Sequence, residues 1–514
     1  MKRLLPILLC VAHFVALMFI ARQHPYGNFA TETDFYHLYA PDAERLAAGQ
    51  FPANTFQGPG YPATIALIAK LTASADLFTV GKWLSVISAV ICGLLVFKLF
   101  SDLFNYRVGI WAQLLVAVSG EFPQFSINAT TDIFFLAVCL LVLVVFSGKY
   151  LSLNLRIALS GALTGFAFVT RYNGLYLLAA CLIGIVLINQ FERPLQARLK
   201  LSAVFLVAFL VAASPWLIAN YMHHGSPLFN TNYLNMATEF YPELVAGKTN
   251  QDGTRVLEEK FKSFGDVLRF DYRKIVTRYP ANLLESLKSI SREGLMNRWV
   301  AWLSLAGLAL ALIYARSKSL LTILASGALY LLLMGLNHWE TRYYFFVMVL
   351  CVGLGVFAID WLFKSASSRL GMKQPFNVAI PLILFAALWG MSLAESRADV
   401  IKFLSAQPRE IIAARDYLNS VNPQGMKLRI VARKPHLPYM SHNEWIFFPP
   451  VKTIEEFRAW VETNNVDYIA IGKREIKERR ELAPLANSKK APEWLSAEWI
   501  CEDPPFILYK PVRR

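Results

Sequence analysis

Carboxylates at the edges of apolar runs, with arginines in matching places, carry the chemistry this chain is equipped to do. The stretch "ATETDFYHLYAPDAERLAAGQFPANTFQGPGYP", residues 30–62, follows the first apolar run and holds Glu32, Asp34, Asp42 and Glu44. Asp132 stands in "NATTDIFFLAV", where another apolar run begins, while Arg171 lies in "FVTRYNG" and Arg342 in "NHWETRYYFF". A loop carboxylate is most often just a solvated charge. One at the edge of a membrane span needs water, a partner or a substrate beside it. For Asp132 the bland reading is a first-turn acid favoured by the helix dipole, with Thr130 or Thr131 as cap. A guanidinium at such an edge matches a phosphate bidentately, or simply snorkels to lipid headgroups. His338, Tyr343 and Tyr344 are placed to assist, or to serve as interfacial aromatics.

The elements that must position these residues are membrane spans. Of 514 residues, 55% are hydrophobic and 17% charged, too few charges to solvate a soluble surface of this size. Apolar runs near 4–20, 79–100, 107–122, 131–147, 155–170, 174–190, 200–221, 297–315, 319–336, 342–362 and 376–396 have the length that crosses a hydrocarbon layer of about 30 Å. They are continuous rather than alternating, which argues against a barrel. The expectation is a polytopic α-helical protein of about 11–13 spans. The run at 61–72 is too short to cross and is read as a re-entrant or interfacial helix entered through Pro62.

Charge orients the spans. With Lys2 and Arg3 inside, the loops "SDLFNYR", "SGKYLSLNLR", "NQFERPLQARLK", "ARSKS" and "KSASSRLGMKQ" fall on the cytoplasmic side and are mostly rich in lysine and arginine. The long loops 21–78 and 222–296, the vicinity of Arg171, "NHWET" and the tail then face outward. The chain divides into a membrane domain, 1–396, and an extracytoplasmic tail, 397–514. In the tail, "KLRIVARK", "VDYIAIGK" and "FILYKP" read as strands and "TIEEFRAWVETNN" as an amphipathic helix, giving a small α/β domain. "DVLRFDYRKIVTRYPANLLESLKSI" suits the outer membrane surface. The amino-terminal run lacks a cleavage site and reads as an uncleaved first span.

Several functions are disfavoured. The net charge of +15 sits largely in short loops, where it sets topology, so nucleic acid is not the expected partner. The six cysteines form no CxxC or Cys/His pattern, which supports neither a disulfide framework nor a zinc site. Asn128 begins a sequon but hugs a span, a poor place for glycosylation.

The order "TDFYHLYA", "GPGYP", "TTD" opening a span, "TRYNG", "SPWLIANYMHHGSPLF" and "H..TRYY" resembles the GT-C membrane glycosyltransferases. The likeness is greatest to bacterial relatives of protein O-mannosyltransferases and of the lipid A aminoarabinose transferase. It runs through most of residues 1–362, and "VARKPHLPYMS" resembles the outer domains of some bacterial members. The resemblance implies transfer of a sugar from a polyprenyl-phosphate donor, usually with inversion, at the outer face of the cell membrane. The acceptor would be an envelope glycolipid, a polysaccharide or a protein hydroxyl. Asp34 matches the first-loop base, with Asp132 as a second acid that orients the acceptor or substitutes for it. Glu32, Tyr61, Arg171, His338, Arg342 and Tyr343 fall in the substrate-binding set, the arginines holding the departing phosphate. Relatives often have adjacent acids or Pro-Pro-x-Tyr-Pro at the loop end. Here Glu32 precedes Asp34 by two, and the end is Gly58-Pro59-Gly60-Tyr61-Pro62, so the base lies between Asp34 and Glu32. Hard oxygens at these acids suit Mg²⁺ or Mn²⁺, but a monophosphate leaving group is served by arginine, and no cofactor or metal is expected to be required. The rival readings are a transporter, whose ionisable groups gather at the bilayer midplane, and a non-catalytic partner in polysaccharide assembly.

Overall fold

The computed structural model describes residues 4–291, 294–369 and 376–512; Lys2, Arg3 and part of the "KSASSRLGMKQ" loop lie outside them. Each apolar run yields a helix: α1 (Leu5–Ala21), α2 (Leu77–Leu103), α3 (Tyr106–Val116), α4 (Thr131–Ser147), α5 (Leu153–Thr170), α6 (Leu175–Val186), α7 (Leu195–His224), α8 (Arg298–Tyr314), α9 (Lys318–Met334), α10 (Phe345–Arg369) and α11 (Phe376–Ser405). Short polar side chains start several of them. Asp76 accepts from Thr79 N, Asn105 from Val108 N and Ser317 from Leu320 N, satisfying amides that a first turn leaves unpaired. Five stretches are long and apolar enough to cross a membrane: Leu77–Leu103, Leu153–Thr170, Leu195–His224, Thr341–Arg369 and Ala379–Val421. Five further apolar helices have 10–17 residues.

The run at 107–122 departs from expectation. Its helix stops at Val116, giving 11 residues, or about 16 Å of rise. Gly120 then takes φ +47° and the four-residue helix Phe122–Phe125 follows. The segment at 61–72 is a 13-residue helix, Gly60–Thr72. The basic, apolar stretch of the second long loop forms the helix Tyr272–Ser289, which exposes Tyr272, Val276, Leu284 and Leu287.

Close packing fixes the helix pairs. α7 buries Leu201, Phe205, Phe209, Ala213 and Trp216, a stripe at helical spacing. The largest apolar cluster among the membrane helices includes Val96, Phe100, Leu136, Leu140, Tyr344 and Met348, and a smaller one gathers Phe168, Phe209 and Ala213.

Contact density separates two compact units. One comprises residues 1–25, 42–244 and 257–405; the other comprises 26–41, 245–256 and 406–514. The tail thus takes in two segments from the long outer loops, and its boundary falls at 405/406 rather than 396/397.

The second unit is built on a five-stranded sheet, in the order β2 (Glu444–Ile446), β1 (Arg429–Val431), β3 (Tyr468–Gly472), β5 (Phe506–Pro511), β4 (Leu495–Cys501). β1 runs parallel to β2 and β3, while β5 is antiparallel to β3 and β4. Side chains alternate across it, as strand geometry requires. Ile469, Ile471 and Tyr509 face helix α13 (Ile454–Thr463) through Phe457 and Val461. Ile430, Ala470 and Leu508 face helix α12 (Arg409–Val421) through Ile411, Ala414 and Leu418. β2 and β4, absent from the sequence expectation, are the two edges. β2 has three residues and begins in the polar stretch His442-Asn443-Glu444, which shows no alternation.

Candidate active site

Asp132 sits in the first turn of α4, after Thr130 at the N-cap position. Thr130 makes no side-chain cap bond, so neither threonine caps in the expected way. Instead Thr131 Oγ1 accepts from Arg171 Nη1 at 3.1 Å. The same nitrogen donates to Asp132 Oδ1 at 2.5 Å, and the Asp132 side chain is 1% exposed. Arg171 is the extended residue that ends α5. Its guanidinium also lies over the rings of Phe135 and Tyr343, 5.8 and 5.3 Å from their centroids. Arg342 Nη1 approaches the other carboxylate oxygen, Oδ2, to 3.8 Å. One buried carboxylate therefore collects two guanidiniums from helix ends far apart in sequence. Burial of such a charge is tolerated only with partners of this kind.

Glu340 completes the group, and the sequence reading passed over it. Its Oε2 accepts from Arg342 Nε at 2.5 Å, and Oε1 lies 3.1 Å from His338 Nε2. Burial opposes ionisation of Glu340, but the His338 hydrogen bond and the Arg342 charge outweigh it and hold the carboxyl down at about 2. Arg342 Nη2 also donates to the Tyr343 hydroxyl at 3.3 Å, and Tyr343 is tethered through its carbonyl, which accepts from Tyr330 OH. The signal that could have revealed Glu340 is its place between His338 and Arg342 in "HWETR"; the structure puts it in extended backbone at the N-cap of the 3-10 helix Thr341–Tyr344, beside both partners.

The "GPGYP" turn is wedged against the end of α5. A Cβ on Gly58 would lie 1.9 Å from the Val169 carbonyl oxygen, and one on Gly60 would lie 2.5 Å from Thr170 Oγ1. Only glycine permits that approach, and it is made on the two residues before Arg171. Tyr61 is wholly buried, its ring 5.9 Å from that of Phe134 on α4. Beside Arg171 and Tyr343 opens a small polar cleft of about 20 Å³, lined also by Gln57, Asn173, Asn232, Asn235 and Asn337. Those amides come from four stretches of the chain, Asn232 and Asn235 from the start of one helix, Tyr233–Phe240, with no motif to announce them. The structure thus gathers Asp132, Arg171, His338, Arg342 and Tyr343 around one centre, with Tyr61 packed on α4.

Asp34 and Glu32 belong to the other unit. Glu32 is fully buried and its Oε2 accepts from Asn28 N at 3.0 Å, closing a local turn. Asp34 is partly exposed and leads into a π-helix, Phe35–Tyr39; such turns recur at functional sites. The segment is held by its own unit. Asn28 O accepts from His436 Nε2 at 2.8 Å, and the Tyr36 ring packs 4.7 Å from that of His436 and 5.3 Å from that of Tyr439. Among the described residues, no group of three or more His, Cys, Asp or Glu side chains is arranged to hold a metal ion.

Comparison with known proteins bears on the fold that carries these residues. Residues 56–218 fit the family model for dolichyl-phosphate-mannose-protein mannosyltransferase. No curated protein matches the chain in sequence. Among solved structures, the archaeal oligosaccharyltransferase AglB from Archaeoglobus fulgidus, in complex with an inhibitory peptide and a dolichol-phosphate, is similar with a TM-score of 0.61 at 13% identity, over 91% of this chain and 70% of that one. ArnT from Cupriavidus metallidurans, bound to undecaprenyl phosphate, is similar with a TM-score of 0.58 at 12% identity, over 98% and 97%. At these identities the likeness is one of fold. With that likeness of fold and the mannosyltransferase match over residues 56–218, the chain is a multi-pass helical membrane protein with a GT-C-like fold.

Proposed function

We propose that this chain transfers a sugar from a polyprenyl-phosphate-linked donor to an envelope acceptor at the outer face of the cell membrane, with inversion at the anomeric carbon. The observation that carries this reading is the pair of guanidiniums, Arg171 and Arg342, drawn onto Asp132 beside an amide-lined cleft. Arginines in this setting offer fixed positive charge where a phosphate departs, and such charge acts most strongly in a water-poor site. The similar structures AglB and ArnT were solved with dolichol-phosphate and undecaprenyl phosphate respectively, which supports a lipid phosphate as the leaving group.

In the reaction, Asp34 takes the proton of the acceptor hydroxyl. The freed oxygen attacks the anomeric carbon as the bond from that carbon to the phosphate oxygen breaks. The polyprenyl phosphate leaves with one more negative charge than it had in the donor, and Arg171 and Arg342 stabilise that charge. Asp132 holds the arginines apart and aimed, while the amides and Tyr343 offer hydrogen bonds to sugar hydroxyls. Glu32, buried and bonded to Asn28, keeps the turn that presents Asp34.

Mass spectrometry of envelope glycolipids and glycans, with and without the gene, tests the reading. Loss of a single-sugar decoration, restored by the wild-type chain but not by Asp34→Asn, is the expected result. Full restoration by Asp34→Asn removes Asp34 from the mechanism, and an unchanged envelope removes the transferase.

A further inference from the structure

Lys434 reaches from the tail to the candidate base. It lies on the turn between β1 and β2, in "VARKPHLPYM", where Pro435 and the buried His436 follow it. Its Nζ donates to Thr33 Oγ1 at 3.0 Å, across 401 residues of sequence. Thr33 adjoins Asp34, whose carboxylate acts on the same ammonium. On either side of Thr33, Asn28 and Tyr36 hold the segment to the tail, through the Asn28–His436 hydrogen bond and the tilted packing of the Tyr36 ring on those of His436 and Tyr439. A lysine on a flexible surface would not be tied in this way; this one is placed.

We propose that Lys434 is a positioning residue for the base: its ammonium keeps the Asp34 carboxylate ionised and fixed in orientation, so that the tail supplies part of the proton-accepting machinery. This rests on the reading of Asp34 as the base. The other charged and titratable groups about Lys434 are Arg433 and His436 on its own turn, His37 on the first-loop segment, and Arg474 and Glu478 on the helix Lys473–Glu478. Arg433 is ion-paired with Glu475 at 3.0 Å, and burial holds His436 neutral, its ring pushed down to about 3. Burial and the neighbouring Arg433 bring Lys434 down to about 8, with Asp34 opposing them. The ammonium is thus charged at neutral pH and discharges within reach of an ordinary pH series.

A cation next to a carboxylate favours its ionised form, and losing the cation raises the carboxylate pKa. That sign is readable without any substrate. Carbodiimide with an excess amine nucleophile modifies the protonated carboxyl. Mass spectrometry of the full-length protein in detergent then follows Asp34 modification against pH, counting amine adduct and any internal amide to Lys434. Lys434→Met should raise the midpoint by about one pH unit, and Lys434→Arg should leave it at the wild-type value. A midpoint unmoved in both variants, or moved equally in both, overturns the proposal. A second arm follows release of polyprenyl phosphate from the native lipid-linked sugar pool of membrane vesicles carrying the chain. Lys434→Met should displace the acidic limb of that pH profile in step with the labelling midpoint, and Asp34→Asn should abolish release. Wild-type release by Asp34→Asn removes the base itself. Abolished release with an unmoved labelling midpoint removes only the role of Lys434.

Discussion

Gly58 and Val169 meet so closely that a methyl group on the glycine would stand 1.9 Å from the valine carbonyl oxygen. The obstacle is backbone at the end of α5, which cannot swing aside as a side chain would. Gly58→Ala should therefore displace the turn or the end of α5 that leads into Arg171 and cost about 2 kcal/mol or more. Thermal unfolding in detergent should show a lower transition, and transfer should fall with it. An unchanged transition would mean that the turn is free to retreat.

The pairing of Asp132 with Arg171 makes a different kind of claim. Removing the acid alone leaves a guanidinium that is itself only 11% exposed without its closest carboxylate. Asp132→Ala should cost roughly 3–5 kcal/mol. Joining it to Arg171→Met should recover much of the loss, because the buried cation goes too. Four-way unfolding measurements on the single and double variants read the coupling directly; strictly additive losses would show the two charges acting separately.

Arg342 separates donor from acceptor. If it carries the lipid phosphate, Arg342→Ala should raise the donor KM about tenfold, the scale of one charge-assisted hydrogen bond, while the acceptor KM stays near wild type. Steady-state kinetics with each substrate varied in turn decides this. The reverse pattern would exclude a donor-phosphate role.

Glu121 gives the protein a pH-dependent stability. It precedes the helix Phe122–Phe125, and its amide donates to Gly294 O at 2.7 Å. Burial, with Asp399 and Glu340 adding to it, raises its carboxyl to about 7. A carboxyl raised in the folded state binds protons more tightly there than in the unfolded chain. Its contribution is complete below the ordinary value near 4.5 and fades as pH climbs through 7. Glu121→Gln should flatten the stability profile across that window and leave the protein more stable at pH 8 by about 1–2 kcal/mol. Unfolding at a series of pH values checks it; a profile as steep as wild type would place the titration elsewhere.

The membrane helices were legible because a span needs an apolar run of fixed length, and every run became a helix. Length alone misjudged the run at 107–122, where only Ala117 and Val118 carry it past the helix end at Val116 before Ser119, Gly120 and Glu121 break it. In the tail, β1, β3, β5 and α13 showed their alternation or helical spacing. β2, no shorter than β1, begins in the polar His442-Asn443-Glu444 and showed no alternation, and β4 carries exposed alternate residues without a continuous apolar run. At the site, Asp132, Arg171 and Arg342 stood out because charge is costly at a span edge. Glu340 did not, being read as loop. The amides of Asn173, Asn232, Asn235 and Asn337 converge only in three dimensions, and Lys434 is separated from Thr33 by nearly the whole chain. The glycines of "GPGYP" were visible as a departure from the commoner motif, but their reason, contact with Val169 and Thr170, required coordinates.

The segment 26–41 leaves the ribosome early, while the turn that receives it arrives almost last: His436 lies 408 residues beyond Asn28. Local hydrogen bonds close the turn, Gly27 N to the Tyr36 hydroxyl and Asn28 N to Glu32, but the Asn28 carbonyl finds His436 only when the tail arrives. During synthesis the segment must wait for that anchor until nearly all the polypeptide has been made. A prematurely terminated chain would embed its spans yet lack a seat for the segment that carries Asp34, so on the proposed reading truncated products would be inert rather than misdirected.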